Sequence, residues 1–390
     1  MPGSKNWITS SSVIPSRRAI WGPELNRVAH VTTAHPSSDN RIMRKECTSL
    51  AEAGLDVELI AVATVDQVID GVQLRALPRR NGRLARMTLG PLDVWRALRI
   101  TKPRLIHVHD PELIPLALVW RLGRGRKAIY DAHEDLPKQV MGKLYIPRSA
   151  RKIVAHLARI LEVSADRYLD TIVVATPSIA RNFTRAPVVL VQNFPWLRDF
   201  PEPGEPASES PRKFVYVGGI SAERGCLEMM HAAAESTSHP ELVLAGPATE
   251  SMKKAMQSQS ESGVEYLGVL PAEKIPQVLS DALAGVVLFH PLANNLESQP
   301  TKLFEYMAAG LPFIASDFEA WRQLLGEFDC GYFVNPLDVG AIRDTLDRLM
   351  DNPASAREMG RRGRRAFETS FTFEIEATKL VAATNELLST

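Results

Sequence analysis

Cysteine is scarce: three residues, Cys47, Cys226 and Cys330, lie far apart in a chain of 390. An odd, scattered set excludes a disulfide framework and shows no zinc-ligand spacing, which fits a reducing compartment such as the cytosol. No apolar run reaches the roughly 18 residues of a membrane-spanning helix. The best candidate, Leu105 to Leu122, is interrupted by His107, His109, Asp110 and Glu112. Residues 1–26 lack an apolar stretch and read as a flexible N-terminal tail rather than a signal peptide. Internal repeats and low-complexity tracts are missing. No G-x-G-x-x-G opens the first βα unit, which argues against a dinucleotide oxidoreductase. No D-x-D occurs either, so a common acidic metal signature is lacking.

Net charge is also nearly absent, at +1. That balance hides a split. Met1 to Pro195 holds 29 Lys and Arg against 17 Asp and Glu, a net of +12, and the remainder holds 17 against 28, a net of −11. Two halves of opposite sign imply two domains with different partners. The basic half is densest over 75–104, where Asp93 is the only acid. Such a stretch suits an anionic membrane surface, or else a solvated helical face; nucleic acid is not expected as a partner.

What is present is alternation. Short β-branched runs predict strands at Val28–Ala34, Val57–Ala63, Val72–Leu77, Leu105–His109, Ala128–Asp131, Ile172–Thr176 and Val188–Gln192. A second set follows at Phe214–Val217, Leu242–Leu244, Val264–Leu267, Gly285–Phe289, Phe313–Ala315 and Tyr332–Val334. Helical patterns separate them, the first over Asp39–Gly54 with Gly54 at its C′ position. This is an α/β chain with parallel sheets. We divide it into the tail (1–26), an N-terminal Rossmann-like domain (27–194), a proline-rich linker (195–212), a C-terminal Rossmann-like domain (213–370) and a C-terminal helix (371–390). That helix either closes the second domain or crosses back to the first. In open α/β sheets, ligands bind beyond the carboxyl ends of the strands, so the residues there are the candidates for function.

The most informative stretch is HPLANNLESQPTKLFEYMAAGLPFIAS, His290 to Ser316. A strand ends in a polar loop that opens a helix at about Pro300 or Thr301. Glu297 lies in the loop and Glu305 eight residues later on the helix. A helix start offers free N–H groups and a positive dipole end, suited to a diphosphate. A carboxylate one turn in can accept two hydrogen bonds from a ribose diol. Read alone, the pair could equally be a solvent-facing glutamate and a loop charge. The second stretch, VGGISAERG, sets Gly218 and Gly219 after a strand and Arg224 before a helix, a phosphate-binding arrangement. Three histidines follow strands in the basic half: His107 and His109 in HVHDPE, with Asp110 and Glu112 beside them, and His133 in YDAHED. His107 reads as a packed or structural residue. His109 and His133, each beside carboxylates, can donate to a sugar hydroxyl or support developing charge. The spacing resembles no common metal motif. In the first loop, TTAHPSSDN, Asp39 is a plausible N-cap and His35 faces an acceptor or is structural. Asn193 reads as hinge structure.

PTKLFEYMAAGLPFIAS, with Glu297 and Glu305, resembles the E-x7-E donor motif of retaining glycosyltransferases of family 4, which have the two-domain GT-B fold. DNRIMRKECTSLAEAGLDVELIA, LIHVHDPELIPLA, AIYDAHEDLP and FVYVGGISAERG fall in family order, so the likeness runs from about Arg27 to the final helix. It implies a hexosyltransferase that moves a sugar from a UDP- or GDP-linked donor to a lipid-linked or growing saccharide in cell-surface polysaccharide or glycoconjugate synthesis. Glu305 would bind the donor ribose, and Glu297 would contact the donor sugar with His109 and His133 as catalytic partners. Gly218, Gly219, Arg224, Thr301, Lys302 and Leu303 would complete the donor site. His35, Asp39, Asp110 and Glu112 are acceptor-side candidates. Neither a cofactor nor a metal is expected, and the location implied is cytoplasmic, peripheral on the inner face of the plasma membrane. The family often has Arg where this chain has Gly219, so part of the phosphate charge must be neutralised otherwise. A nucleotide-sugar epimerase of the same architecture, or a non-catalytic scaffold, are the alternative readings.

Overall fold

The computed structural model describes residues 27–142, 146–204, 212–259 and 263–390. The expected tail and residues 205–211 of the expected linker lie outside the described residues. Among the described residues there are fourteen strands: β1 Arg27–Pro36, β2 Asp56–Val62, β3 Gln67–Ile69, β4 Val72–Leu77, β5 Leu105–Val108, β6 Lys127–Ala132, β7 Thr171–Val174, β8 Val188–Leu190, β9 Lys213–Val217, β10 Glu241–Ala245, β11 Val264–Gly268, β12 Ala284–Val287, β13 Phe313–Ser316 and β14 Gly331–Val334. Every strand expected from the sequence is there. The exception runs the other way: β3 pairs antiparallel with β4 and was not foreseen. It is three residues long and mostly exposed, so it carries no apolar run. Its signal is the Asp70-Gly71 turn, with both residues at positive φ (48° and 82°), the dihedral demand of a tight hairpin.

The chain divides into two compact units. One runs up to Ile129 and takes in Thr384–Thr390; the other is Tyr130–Ala383. In the first, β3-β4-β2-β1-β5 lie side by side, with β1 parallel to both β2 and β5. Val28, Val31, Leu59, Ile106 and Val108 have no exposed surface, as strands covered on both faces require. The boundary falls inside β6, which with β7 and β8 forms one run; in the second unit β11-β10-β9-β12-β13-β14 form another, with parallel pairing of β9 to both β10 and β12.

The expected linker at 195–212 begins inside the second of these units, and packing holds its start there. Phe194 lies 4.6 Å from Phe304 and 5.4 Å from Phe371, ring centre to ring centre. The Leu197 N–H donates to the Glu374 carboxylate at 3.0 Å, and the Gln192 N–H donates to Glu376 at 3.0 Å. These contacts tie the segment before the linker to the second unit. The last helix, Phe373–Ser389, begins in the second unit, and its final residues group with the first. The expected first helix over Asp39–Gly54 is split into a wide turn, Ile42–Cys47, and a short α-helix, Thr48–Glu52. Its expected ends hold: the Asp39 carboxylate accepts from the Arg41 and Ile42 N–H groups at 2.9 and 3.0 Å, and Gly54 has φ +89°. Among the described residues, no helix is long and apolar enough to cross a membrane.

Candidate active site

In the second unit the loop after β9 and the loop after β12 meet. Gly225 stands at φ +70°, and a Cβ there would strike the Leu288 carbonyl, so only glycine lets the chain pass so close. The His290 N–H then donates to the Glu223 carbonyl at 3.0 Å. The Arg224 guanidinium carbon sits 4.0 Å above the Phe289 ring, a stacking that orients the cation. Gly218 opens the loop, and Lys302 passes 3.1 Å from where its Cβ would be. Lys302 belongs to the helix Thr301–Ala308, which starts after Pro300 with no side-chain cap. Two expected donor segments, 218–224 and 301–305, are thus brought together with Arg224 and Lys302 as their cations. Such an arrangement of loop amides, helix start and cations suits a diphosphate.

Glu305 lies one turn along that helix, 3.7 Å from the Lys302 ammonium. Its Oε2 is buried and accepts no hydrogen bond among the described residues, an unused acceptor that a ligand diol would satisfy. Leu303 differs from expectation: its side chain is 1% exposed and its N–H donates to Pro300 O at 3.2 Å. It packs the helix onto the core and offers no group to a donor. Tyr306, buried beside it, donates to the Val215 carbonyl at 3.1 Å and accepts from the Val217 N–H at 3.4 Å. This residue, which sequence reasoning missed, fastens the helix to the strand that leads into Gly218.

Glu297 is half exposed and held by two cations, Lys138 at 2.8 Å and Arg181 at 3.3 Å. The Lys138 hydrogen bond, and the charges of Lys138 and Arg181, hold its carboxyl below the usual range. Neither cation was foreseen, because each is more than a hundred residues away in sequence. Gln192 donates to Gln299 at 2.7 Å in the same loop. His133 Nε2 is 3.1 Å from Asp131. In the same unit, on the helix Arg148–Tyr168, burial first and the Asp135 charge second lift the Glu162 carboxyl to about 7.

In the first unit the expected acceptor-side residues form a clamp. Asp110 Oδ2 accepts from the Thr33 and Ala34 N–H groups (2.5 and 3.1 Å) and from the Thr32 and Thr33 hydroxyls (3.0 and 3.2 Å). The side chain is buried, so Asp110 shapes the first loop rather than meeting an acceptor. Glu112 contacts Arg86 at 3.1 Å and Thr33 at 3.2 Å; burial, then the Asp110 charge, raises its pKa. Asp39 is a helix cap, as above, and lies 3.4 Å from His35. His109 is 3% exposed, with Nε2 3.0 Å from His30 Nδ1. His107 stacks on it at 4.8 Å. Glu46, His107 and His109 offer atoms within 4.8 Å of one another, close enough for a metal. Glu46 is already matched by Arg41 at 2.9 Å, and a paired carboxylate is a poorer ligand.

Two family models cover most of the chain. Glycosyl transferases group 1 matches residues 199–366, and a glycosyl transferase 4-like domain matches residues 40–192. The chain belongs to the group 1, family 4-type glycosyltransferases. It is similar to the D-rhamnosyltransferase WbpZ of Pseudomonas aeruginosa, 24% identical over 293 residues, 72% of this chain and 74% of that one. The alpha-D-kanosaminyltransferase of Streptomyces kanamyceticus is 29% identical over 145 residues. That match spans 36% of the relative's length. Anabaena HepE, solved with UDP-glucose, superposes with a TM-score of 0.67 at 11% identity, over 92% of this chain and 99% of its own. The fold of this glycosyltransferase is GT-B, and its parallel sheets are those of two Rossmann-like domains.

Proposed function

We propose that the protein is a retaining glycosyltransferase that takes a sugar from a UDP- or GDP-linked donor and passes it to a lipid-linked or growing saccharide at the cytoplasmic face of the membrane. The buried, unused Glu305 Oε2, one helical turn from an uncapped helix start and beside Lys302, carries this reading. It accepts from the donor ribose, while Arg224, Lys302 and the amides after Gly218 hold the diphosphate. Departure of that diphosphate concentrates negative charge, so these cations act where the transition state needs them. Glu297, its pKa lowered, is anionic at neutral pH. It therefore serves as a charge and hydrogen-bond acceptor for the donor sugar near its anomeric carbon, not as a proton donor. His109 and His133 are the proposed catalytic partners. A metal is not part of the reading, since the diphosphate charge is met by side-chain cations. HepE, similar in fold and solved with UDP-glucose, supports the donor class. The membrane part of the reading rests on the basic 75–104 stretch alone.

The test is a panel of UDP-, GDP-, ADP- and TDP-sugars, read as slow release of free nucleoside diphosphate. One donor is expected to be cleaved. Arg224→Ala should weaken its binding by tenfold or more, since a charge-assisted contact is worth about 1.5–3 kcal/mol. Glu297→Gln should bind it but lose release. If no sugar nucleotide shifts the melting temperature and none is cleaved, the reading fails. An inverted anomeric centre in the product would overturn retention.

A further inference from the structure

We propose that the helix Arg148–Tyr168 of the second unit lies on an anionic membrane surface, with its outward face entering the headgroup layer. This rests on the membrane part of the reading above and deepens it, with a contact that does not draw on the 75–104 stretch. A surface helix ordinarily turns its large apolar side chains to the core and its charges to water. This helix does the opposite. Its buried positions hold Ala158, Glu162, Ala165 and Asp166. Its exposed positions hold Ile153 at 65%, Leu157 at 55% and Ile160 at 48%. The acids turned inward are used there. Asp166 accepts from the Thr184, Arg185 and Ala186 N–H groups at 3.0–3.1 Å, and Glu162 lies 3.6 Å from Arg159. The helix has no other acid, so its outward face carries none.

Helical spacing sorts the outward face into two lines. One carries Ile153, Leu157, Ile160 and, past Ser164, Tyr168, which is 52% exposed. The other, one residue back at each step, carries Lys152, His156, Arg159, Val163 and Arg167, all exposed. An apolar line about 22 Å long thus runs beside a mostly cationic one. Arg159 is shared between Glu162 and the Asn182 carbonyl, at 3.3 Å from the latter, so Lys152 and Arg167 carry the charge offered outward. Aliphatic side chains beside cations are what an interface of anionic headgroups accepts: the first enter the acyl boundary, and the second stay at phosphate level on their long stems. Other occupants fit the charge less well. A second copy on this face by a two-fold contact would bring two cationic lines together. The chain's own residues 1–26 hold Lys5, Arg17 and Arg18 against Glu24, the wrong sign for the same face. The 75–104 stretch is the weaker membrane contact, because Arg75, Arg80, Arg86 and Arg96 each face a carboxylate, at 2.6, 2.7, 3.1 and 3.1 Å.

The test is sedimentation of the full chain with phosphatidylglycerol and, separately, with phosphatidylcholine vesicles. The parent is expected to bind the first about tenfold more tightly, with a larger difference at low salt. Ile153→Gln with Leu157→Gln and Ile160→Gln should weaken that binding by about tenfold or more, as should Lys152→Gln with Arg167→Gln. These side chains are exposed, so both variants should keep the fold, as circular dichroism would show. Arg79→Gln with Arg99→Gln should stay within about twofold of the parent. The cysteines Cys47, Cys226 and Cys330 are buried, so a fluorophore can be placed on Leu157→Cys alone. Its emission should brighten and shift to the blue on phosphatidylglycerol vesicles. The proposal is overturned if the parent does not bind phosphatidylglycerol, if it binds phosphatidylcholine equally, or if the triple Gln variant binds as the parent does. A silent fluorophore on vesicles that the protein binds would overturn it too. Loss confined to Arg79→Gln with Arg99→Gln would overturn it while keeping a membrane contact through 75–104. A dimer in analytical ultracentrifugation that the triple variant abolishes would assign the face to a second copy and overturn it. Sugar-nucleotide cleavage without lipid should be unchanged in every variant. If no donor is bound or cleaved while the vesicle results hold, the donor reading falls and this surface stands.

Discussion

Gly219 faces open space: a Cβ built on it meets no heavy atom within 4 Å. Its carbonyl accepts from the Tyr216 hydroxyl at 2.9 Å, so the backbone is held whatever side chain it bears. The family likeness places an arginine here, and the site has room for one. Gly219→Arg should tighten nucleoside diphosphate binding by roughly tenfold, the effect of one added charge-assisted contact. Titration at two salt concentrations checks this, with a larger gain at the lower one. Unchanged affinity at both would mean that the diphosphate lies elsewhere. At this scale the sequence was readable where neighbours are local. Arg224, Lys302 and Glu305 sit within short segments, and their placement at a strand end and a helix start could be read from those segments. Lys138, Arg181 and Tyr306 were not readable, since what makes each matter is a partner far along the chain. Asp110 misled for the same reason: an acid after a strand looks like a ligand group until its loop partners at 32–34 are known.

The element that depends most on a single residue is the turn into the helix Cys226–Glu235. Gly225 is left-handed and pressed against the Leu288 carbonyl. Gly225→Ala adds both a strained φ and a backbone clash, a combination that costs about 2 kcal/mol or more. The turn should shift, with a melting temperature several degrees lower and weaker donor binding. A melt within one degree of the parent would show that the contact is not tight. Strand positions were readable because buried parallel strands are nearly continuous apolar runs. The hairpin strand β3 escaped because an exposed edge needs no such run. The Asp39–Gly54 helix was right in extent and wrong in kind, since apolar spacing near 3.6 does not distinguish an α-helix from a wider turn followed by a shorter one.

For the whole molecule, the two-part architecture was visible in the alternation of strands and helices and in the opposed charges of the halves. What the segment before the proline-rich stretch packs against was not. Composition marks a proline-rich stretch as a break, whereas contacts decide which side a segment belongs to. Phe194, Gln192 and Leu197 are committed to Phe304, Phe371, Glu374 and Glu376. Glu374→Ala with Glu376→Ala should release that segment: amide exchange at Gln192 and Leu197 should speed up about tenfold, consistent with the loss of roughly 1–2 kcal/mol per charged acceptor. Unaltered exchange would mean that the aromatic cluster alone holds it.

The Asp70-Gly71 turn has a practical side. Both residues are exposed, and the pairing of Ile69 with Val72 closes the hairpin around them. Lengthening a closed loop is cheap, about 0.6 kcal/mol for each doubling. That makes this turn the natural place to insert a reporter or affinity label.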